Sequence, residues 1–165
     1  MSEAALRRIT KNAERMTIRD VLRLPLNPRL LTCAVMHEDI VPAGVIRSIA
    51  AAIGAVAIDR AAAEGTYLDF RTRRAIDAAR TFGAGRSSAG ELHVACAHAE
   101  AARDLVMDLG DPTVTKVAAL AVSVCDPDSR SAVLRTLADA LELFPSTDGE
   151  QRYLDLISTM LQEVA

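Results

Sequence analysis

The sequence predicts an all-α protein: a compact irregular bundle of about eight to nine helices forming a single domain. Half of the 165 residues are hydrophobic but only 3% are aromatic. Alanine and branched aliphatic residues must therefore fill the core, which favours closely packed helices over a β-sandwich. Apolar residues recur at helical spacing, and no segment alternates as a half-buried strand does. A chain of this length is about one domain and can bury its own core.

Four helices are predicted before residue 66. The first is a short polar helix over residues 2–15. The next three begin at residues that favour N-terminal caps or the first helical turn. These start signals are Thr17 with Asp20, Asn27 with Pro28, and Asp39 with Pro42. Gly65 is the C-terminal cap expected for the fourth helix, and residues 65–68 are the alternative boundary for a subdivision of the chain.

The fourth of these helices is predicted to be buried at the centre of the bundle. Ile46, Ile49, Ile53 and Val56 recur at three- to four-residue spacing, the pattern of a core-facing side. Arg47 interrupts its apolar run, and its alanines are only weakly apolar, so a membrane span is disfavoured. The alanines around Gly54 would let a neighbouring helix approach closely.

Five further helices are predicted after residue 68. One begins near Asp69 and ends at Phe82, before a Gly-Ala-Gly stop, and Ser88 with Glu91 forms a capping box for the next. The inward stripe predicted for that helix contains Leu92, Ala95, Cys96, Ala99, Ala102, Arg103, Val106 and Leu109. The last three helices begin at Asp111-Pro112, Asp126-Pro127 and Thr147 with Glu150. The repeated Asp-Pro starts leave a HEAT-type solenoid as the alternative, although the units differ in sequence.

Charge and cysteine usage exclude several classes of protein. The net charge is −3, which disfavours general nucleic-acid binding, and the scarcity of aromatic residues argues against stacking on bases. Cys33, Cys96 and Cys125 are odd in number and far apart, so reduced thiols in the cytoplasm are expected rather than a disulfide framework. No apolar signal core begins the chain.

Arginines are concentrated around the turn that joins the helix from Asp69 to the helix from Ser88. They are Arg71, Arg73, Arg74, Arg80 and Arg86. Asp77 lies between Arg73 and Arg80 at intrahelical ion-pair spacing, so an ordinary solvated face explains much of the pattern. The first three, however, lie in a first helical turn, where the helix dipole disfavours cations. A carboxylate or phosphate from a partner would offset that cost, so these residues are the predicted partner- or anion-binding site.

Metal and catalytic sites are not predicted. His93, Cys96 and Glu100 share a helical face and are a weak zinc candidate, but Cys96 also belongs to the apolar stripe. The Gly-Ala-Gly-Arg-Ser-Ser-Ala-Gly segment follows no strand, which favours a turn over a phosphate loop. Cys33 and His37 are close enough to touch, but no third group orients them. We therefore expect no cofactor, no metal and no enzymatic activity.

The segment FRTRRAIDAARTFGAGRSSAGELHVACAHAEAARD resembles the Imm-five-like immunity proteins of bacterial toxin systems, relatives of which also occur in phage genomes. Those proteins carry an arginine-rich helix, a glycine turn and an Ala/His-rich helix. The matching residues are Arg71, Arg73, Ala75, Ile76, Asp77, Ala78, Ala79, Arg80, Ala97, His98, Ala99, Ala101, Ala102 and Arg103. The resemblance implies an all-α protein of bacterial or phage conflict that binds and neutralises something. It implies no catalytic residues.

The leading hypothesis is a cytosolic, non-enzymatic immunity or anti-defence protein that masks a toxin or defence-system protein by occupancy. Acidic groups of that partner would contact the region from Arg71 to Arg86. One alternative is a phage-type sponge that sequesters a small phosphorylated or nucleotide ligand through the same arginines. Another is a structural or assembly protein that forms a homo-oligomer through the helix over residues 46–58.

Overall fold

The computed structural model describes residues 17–23 and 40–165. These ranges contain seven helices and no strand. The helices are α1 (Ile18–Leu22), α2 (Ala43–Ala63), α3 (Phe70–Gly83), α4 (Ala89–Met107), α5 (Pro112–Val124), α6 (Ser129–Leu143) and α7 (Thr147–Val164). The predicted all-α class is confirmed, whereas the described part holds fewer helices than the eight to nine expected. The predicted helices over residues 2–15 and from Pro28, together with Cys33 and His37, lie outside the described residues.

The central element is α2, which packs against α3, α5, α6 and α7. This helix buries Ile46, Ile49 and Ile53 fully, as predicted. Val56, which was also predicted to face the core, is only partly buried. Burial of the isoleucines within one chain leaves these side chains unavailable to a second copy, and the expected homo-oligomer stays a prediction. Contacts between helices far apart in sequence, such as α2 with α6, describe a bundle rather than a solenoid, in which each repeat contacts only its neighbours. No helix in the described ranges is long and apolar enough to cross a membrane.

Small residues set how closely the helices of the bundle approach one another. A Cβ placed on Gly54 would lie 2.7 Å from Val124 Cγ2 and 3.1 Å from Ile76 Cδ1. A Cβ on Gly44 would lie 2.6 Å from the carbonyl oxygen of Gly83. The predicted close approach at Gly54 is therefore confirmed, and α2 meets α3 at both glycines.

Several helix ends were predicted from local sequence correctly. The Thr17 side chain accepts from the Asp20 amide at 3.3 Å, and the Asp20 carboxylate accepts from the Thr17 amide at 2.9 Å. The Asp111 carboxylate caps α5 by accepting the Thr113 amide at 2.8 Å, with a proline in the first turn. Gly65 follows the end of α2 with a φ of 85°, a conformation that glycine adopts without strain.

Three predicted helix starts are displaced. Pro42 is the N-cap of α2 and follows the buried Ile40 and Val41, whereas the predicted cap Asp39 lies outside the described residues. Asp128, not Asp126, caps α6, because its carboxylate accepts the Ser131 amide at 2.8 Å. The preceding Pro127 carbonyl accepts from Arg47 at 2.9 Å. The last helix is capped by Ser146, not Thr147: the Ser146 hydroxyl accepts the Gly149 amide at 3.0 Å.

The inward stripe of α4 is only partly as predicted. Leu92, Ala99, Ala102 and Val106 are buried, and Cys96 is half-buried against the core. Leu109 is exposed instead, because α4 ends at Met107 and the chain turns at Gly110 with a φ of 72°.

Candidate functional site: an open cleft between α3 and α4

A short turn joins α3 to α4 and makes them an antiparallel pair. The Gly85 amide donates to the carbonyl of Phe82 at 2.9 Å, and the Arg86 amide donates to that of Thr81 at 2.8 Å. Ser88 and Glu91 then form the predicted capping box at the start of α4. Between the two packed helices lies an open cleft of about 680 Å³. Its lining residues are Arg71, Arg74, Asp77, Ala78, Thr81, Ser87, Ser88, Gly90, Glu91, Val94, Ala95 and His98.

The turn end of the cleft is polar, but its groups are already bonded locally. Glu91 accepts the Ser88 amide at 2.7 Å and the Ser88 hydroxyl at 3.0 Å. These hydrogen bonds lower the pKa of the Glu91 carboxyl, with the backbone bond contributing most. The Thr81 hydroxyl contacts the Ala78 carbonyl at 2.9 Å and the Ser87 hydroxyl at 3.3 Å. The N-terminus of α4 is therefore occupied by its own carboxylate.

Arg71 is held at the start of α3 by Asp69. Its Nε and Nη2 donate to Asp69 Oδ1 and Oδ2 at 2.9 and 2.7 Å, a bidentate pair. Asp69 Oδ1 also accepts the Arg71 amide at 2.8 Å and so caps the helix. The side-chain hydrogen bonds from Arg71 lower the pKa of Asp69. The helix dipole disfavours a cation in the first turn of α3, and the Asp69 carboxylate offsets this unfavourable interaction for Arg71.

Arg74 is the cation that the cleft leaves available. It is exposed and lines the cleft. Within the described ranges its side chain forms no hydrogen bond and no ion pair. Arg74 follows Arg71 by three positions on α3. His98 and Val94 of α4 also line the cleft.

The other predicted arginines lie outside the cleft lining. Arg73 Nη1 pairs with Asp59 Oδ1 of α2 at 2.8 Å, and Arg80 Nη1 pairs with Asp77 Oδ1 at 3.5 Å. Arg86 is exposed in the turn. The intrahelical ion pair therefore accounts for Arg80 only, since Arg73 reaches across to another helix. The structure brings two of the five predicted arginines, Arg71 and Arg74, together in the cleft lining and leaves the other three outside it.

The weak zinc candidate does not form a ligand set. His93 and Glu100 are exposed, whereas Cys96 between them is half-buried against the core. In the described part of the chain, no three His, Cys, Asp or Glu side chains lie together so that they could hold a metal ion. Burial raises the pKa of the Cys96 thiol, and it raises that of Cys125 to about 12.

Sequence reasoning missed the apolar part of this surface. Val94 lines the cleft, and Phe70 and Leu105 are exposed on the same two helices. The signal was present in the sequence: Val94, Ala101 and Leu105 are spaced as one helical face, separate from the inward stripe.

Comparison with protein-family models, curated proteins and solved structures finds no match to this chain. The resemblance to Imm-five-like immunity proteins stays a prediction.

Proposed function

We propose that this chain is a non-enzymatic binding protein that neutralises an acidic protein partner by occupying it through the α3–α4 cleft. The single observation that carries the proposal is Arg74, an exposed cation in the cleft wall with no partner among the described residues. Arginine is enriched in protein interfaces, where it anchors carboxylates. An immunity or anti-defence protein of a bacterial or phage conflict system would act in this way, in the cytoplasm, against a toxin or defence-system protein.

The cleft lining is suited to binding a partner and blocking its surface, because most of its charged groups are already bonded within the chain. Asp77 and Glu91, the carboxylates of the cleft, are bound to Arg80 and to the Ser88 cap. Arg71 is bound to Asp69. These three side chains therefore already contact neighbouring residues of the same chain, whereas the Arg74 and Val94 side chains are available to contact a partner.

A small phosphorylated ligand is the second candidate. The cleft volume of about 680 Å³ lies in the range of small-molecule sites, and Thr81, Ser87 and Ser88 supply hydroxyl groups. One feature weighs against it: the capping box already uses the Glu91 amide at the start of α4, where a helix favours an anion.

Site-specific photo-crosslinking tests the binding function. Benzoylphenylalanine replaces Val94 in cells that naturally express the chain, and Leu134, an exposed apolar residue of α6, provides the control position. We expect a crosslinked protein from position 94 and none from position 134. Arg74→Glu should abolish that crosslink. Arg152→Glu should not, since Arg152 is also an exposed arginine without a described partner but lies on α7.

Two other results would contradict the proposal. A crosslink that survives Arg74→Glu would remove the cation from the binding surface. A large thermal shift with nucleotides or inorganic phosphate, lost in Arg74→Glu and unaccompanied by any crosslinked protein, would favour the sequestering function instead.

A further inference from the structure

The charged residues of the α3–α4 cleft are sorted by sign along its length. On α3, Arg71 and Arg74 lie in the first two turns, and Asp77 follows toward the turn that joins the helices. On α4, Glu91 lies in the first turn, next to that joining turn, and His98 comes seven residues later. Because the two helices are antiparallel, the arginines lie toward one end of the cleft and both carboxylates lie nearer the other end.

The opposite charges within this lining do not pair with one another. In the described part of the chain, Arg74 forms no ion pair with Asp77 or with Glu91. Asp77 pairs with Arg80 at 3.5 Å, and its carboxylate accepts no hydrogen bond from the described residues. Glu91 accepts both Ser88 hydrogen bonds at Oε2, which leaves Oε1 as a further acceptor. The lining therefore offers a ligand a cation and carboxylate oxygens at separate positions.

We propose that the cleft recognises a partner segment with two opposite charges, a carboxylate bound by Arg74 and an ammonium or guanidinium group bound by Asp77. This inference rests on the proposed binding function and names the second group that the partner must present. A segment with acidic side chains alone would bring like charges to Asp77 and Glu91, which disfavours binding. A basic side chain at that position makes the same carboxylates a favourable contact.

The helical geometry of α3 sets the spacing of the two charges. Asp77 follows Arg74 by three residues, so their Cβ atoms are about 5–6 Å apart on the helix surface. Residues two apart in an extended segment, or three to four apart in a helix, present side chains at about 5–7 Å. The charge pattern of the partner, and not its secondary structure, is therefore what the cleft selects.

Selection of peptides on the full chain tests this pairing. The probe is a displayed library of short random linear peptides, selected separately on the native chain and on Asp77→Lys. We expect peptides enriched on the native chain to carry an Asp or Glu and, two to four positions away, a Lys or Arg. On Asp77→Lys, the basic position should change to Asp or Glu while the first acidic position stays the same.

A charge exchange with one selected synthetic peptide separates loss of the contact from a folding defect. The dissociation constant of this peptide should rise at least tenfold with Asp77→Lys. It should return to within about threefold of the native value when Glu replaces the basic residue of the peptide, a recovery that a misfolded variant would not show. The matched control Glu100→Lys should change the dissociation constant by less than twofold, since Glu100 is exposed on α4 outside the cleft lining.

The inference fails if no peptide is enriched, if the enriched peptides lack a basic residue, or if Asp77→Lys leaves their binding unchanged. Self-association of the protein that is lost in Asp77→Lys, measured by sedimentation, would assign the cleft to a second copy of the chain and would also overturn it. Crosslinking at position 94 separates these results from failure of the proposed function. A partner whose crosslink is lost in Arg74→Glu but kept in Asp77→Lys would overturn the charge pair and leave the binding function standing.

Discussion

Arg47 Nη1 donates a 2.9 Å hydrogen bond to the carbonyl oxygen of Val124, the last residue of α5. Its Nη2 donates to the Pro127 carbonyl at 2.9 Å, and the residue is only 1% exposed. Carbonyl groups at a helix C-terminus lack intrahelical donors and favour a nearby cation. A charged side chain of α2 therefore donates to the last carbonyl of α5 and anchors the link between α5 and α6.

Replacing Arg47 by alanine should lower the free energy of unfolding by about 3–5 kcal/mol. The buried Val124 carbonyl would lose its donor at a cost of about 1–3 kcal/mol, and the partly buried Pro127 carbonyl would add less. Loss of the long buried side chain also leaves a cavity. Urea denaturation followed by circular dichroism measures the change. Arg152→Ala, an exposed control on α7, should change the same quantity by less than about 0.5 kcal/mol. A loss below about 1 kcal/mol for Arg47→Ala would show that these bonds add little stability.

Gly54→Ala should destabilise the protein by about 1–3 kcal/mol, although alanine favours helices. The added methyl group meets Val124 Cγ2 at 2.7 Å and Ile76 Cδ1 at 3.1 Å, which overpacks the core. Gly90→Ala is the matched control, since its Cβ meets nothing nearer than Ser88 Oγ at 3.8 Å. That change should stabilise the protein by about 0.5–1 kcal/mol through helix propensity. Equal effects in thermal unfolding would refute the close packing at Gly54.

The features that the sequence predicted well are those decided within a few residues. The Ser88 and Glu91 capping box joins groups three positions apart, so its residue types suffice to identify it. The start of α6 was misplaced by two residues: Pro127 precedes the cap Asp128, and its carbonyl accepts from Arg47, 80 positions away. The same limit applies to the site: no local spacing could show that Arg73 pairs with Asp59 while Arg74 is left facing a cleft.

Glu91→Gln should make the unfolding free energy less sensitive to acid. Hydrogen bonds from Ser88 lower the pKa of the folded Glu91 carboxyl below its ordinary 4.5. A lowered folded-state pKa adds stability above the unfolded pKa, and that stability is lost as the pH falls through the folded value. The variant should therefore have a lower free energy of unfolding than the native chain at pH 7. This difference between the two proteins should become smaller below pH 4.5.

Urea denaturation of both proteins at several pH values between 3 and 7 measures how the difference in unfolding free energy changes with pH. Glu100→Gln provides the control, because Glu100 is exposed on the same helix and caps nothing. A constant difference between the native chain and Glu91→Gln at every pH would rule out the charged form of Glu91 as the source of the stabilisation.

Cys125 should resist alkylation in the folded protein. Burial raises the pKa of its thiol to about 12, and the thiol lies 3.3 Å from the Ala75 carbonyl. At pH 8 only about one thiol in ten thousand is then ionised, and the reactive thiolate is shielded from the reagent. Peptide mass spectrometry after iodoacetamide treatment should show Cys125 modified in urea but not in buffer. Rapid modification of Cys125 in native conditions would contradict its placement in the core.

Arg74→Ala should weaken crosslinking from position 94 at least tenfold, whereas Arg73→Ala should change it by less than twofold. The two arginines are adjacent in sequence, but Arg74 lines the cleft and Arg73 is paired with Asp59 of α2. Both are exposed, and surface ion pairs contribute at most about 1 kcal/mol, so both variants should remain folded. Crosslink yield, normalised to the amount of soluble protein, is the measurement. If Arg73→Ala abolished the crosslink and Arg74→Ala did not, the binding surface would lie on the α2 side of α3 rather than over the cleft.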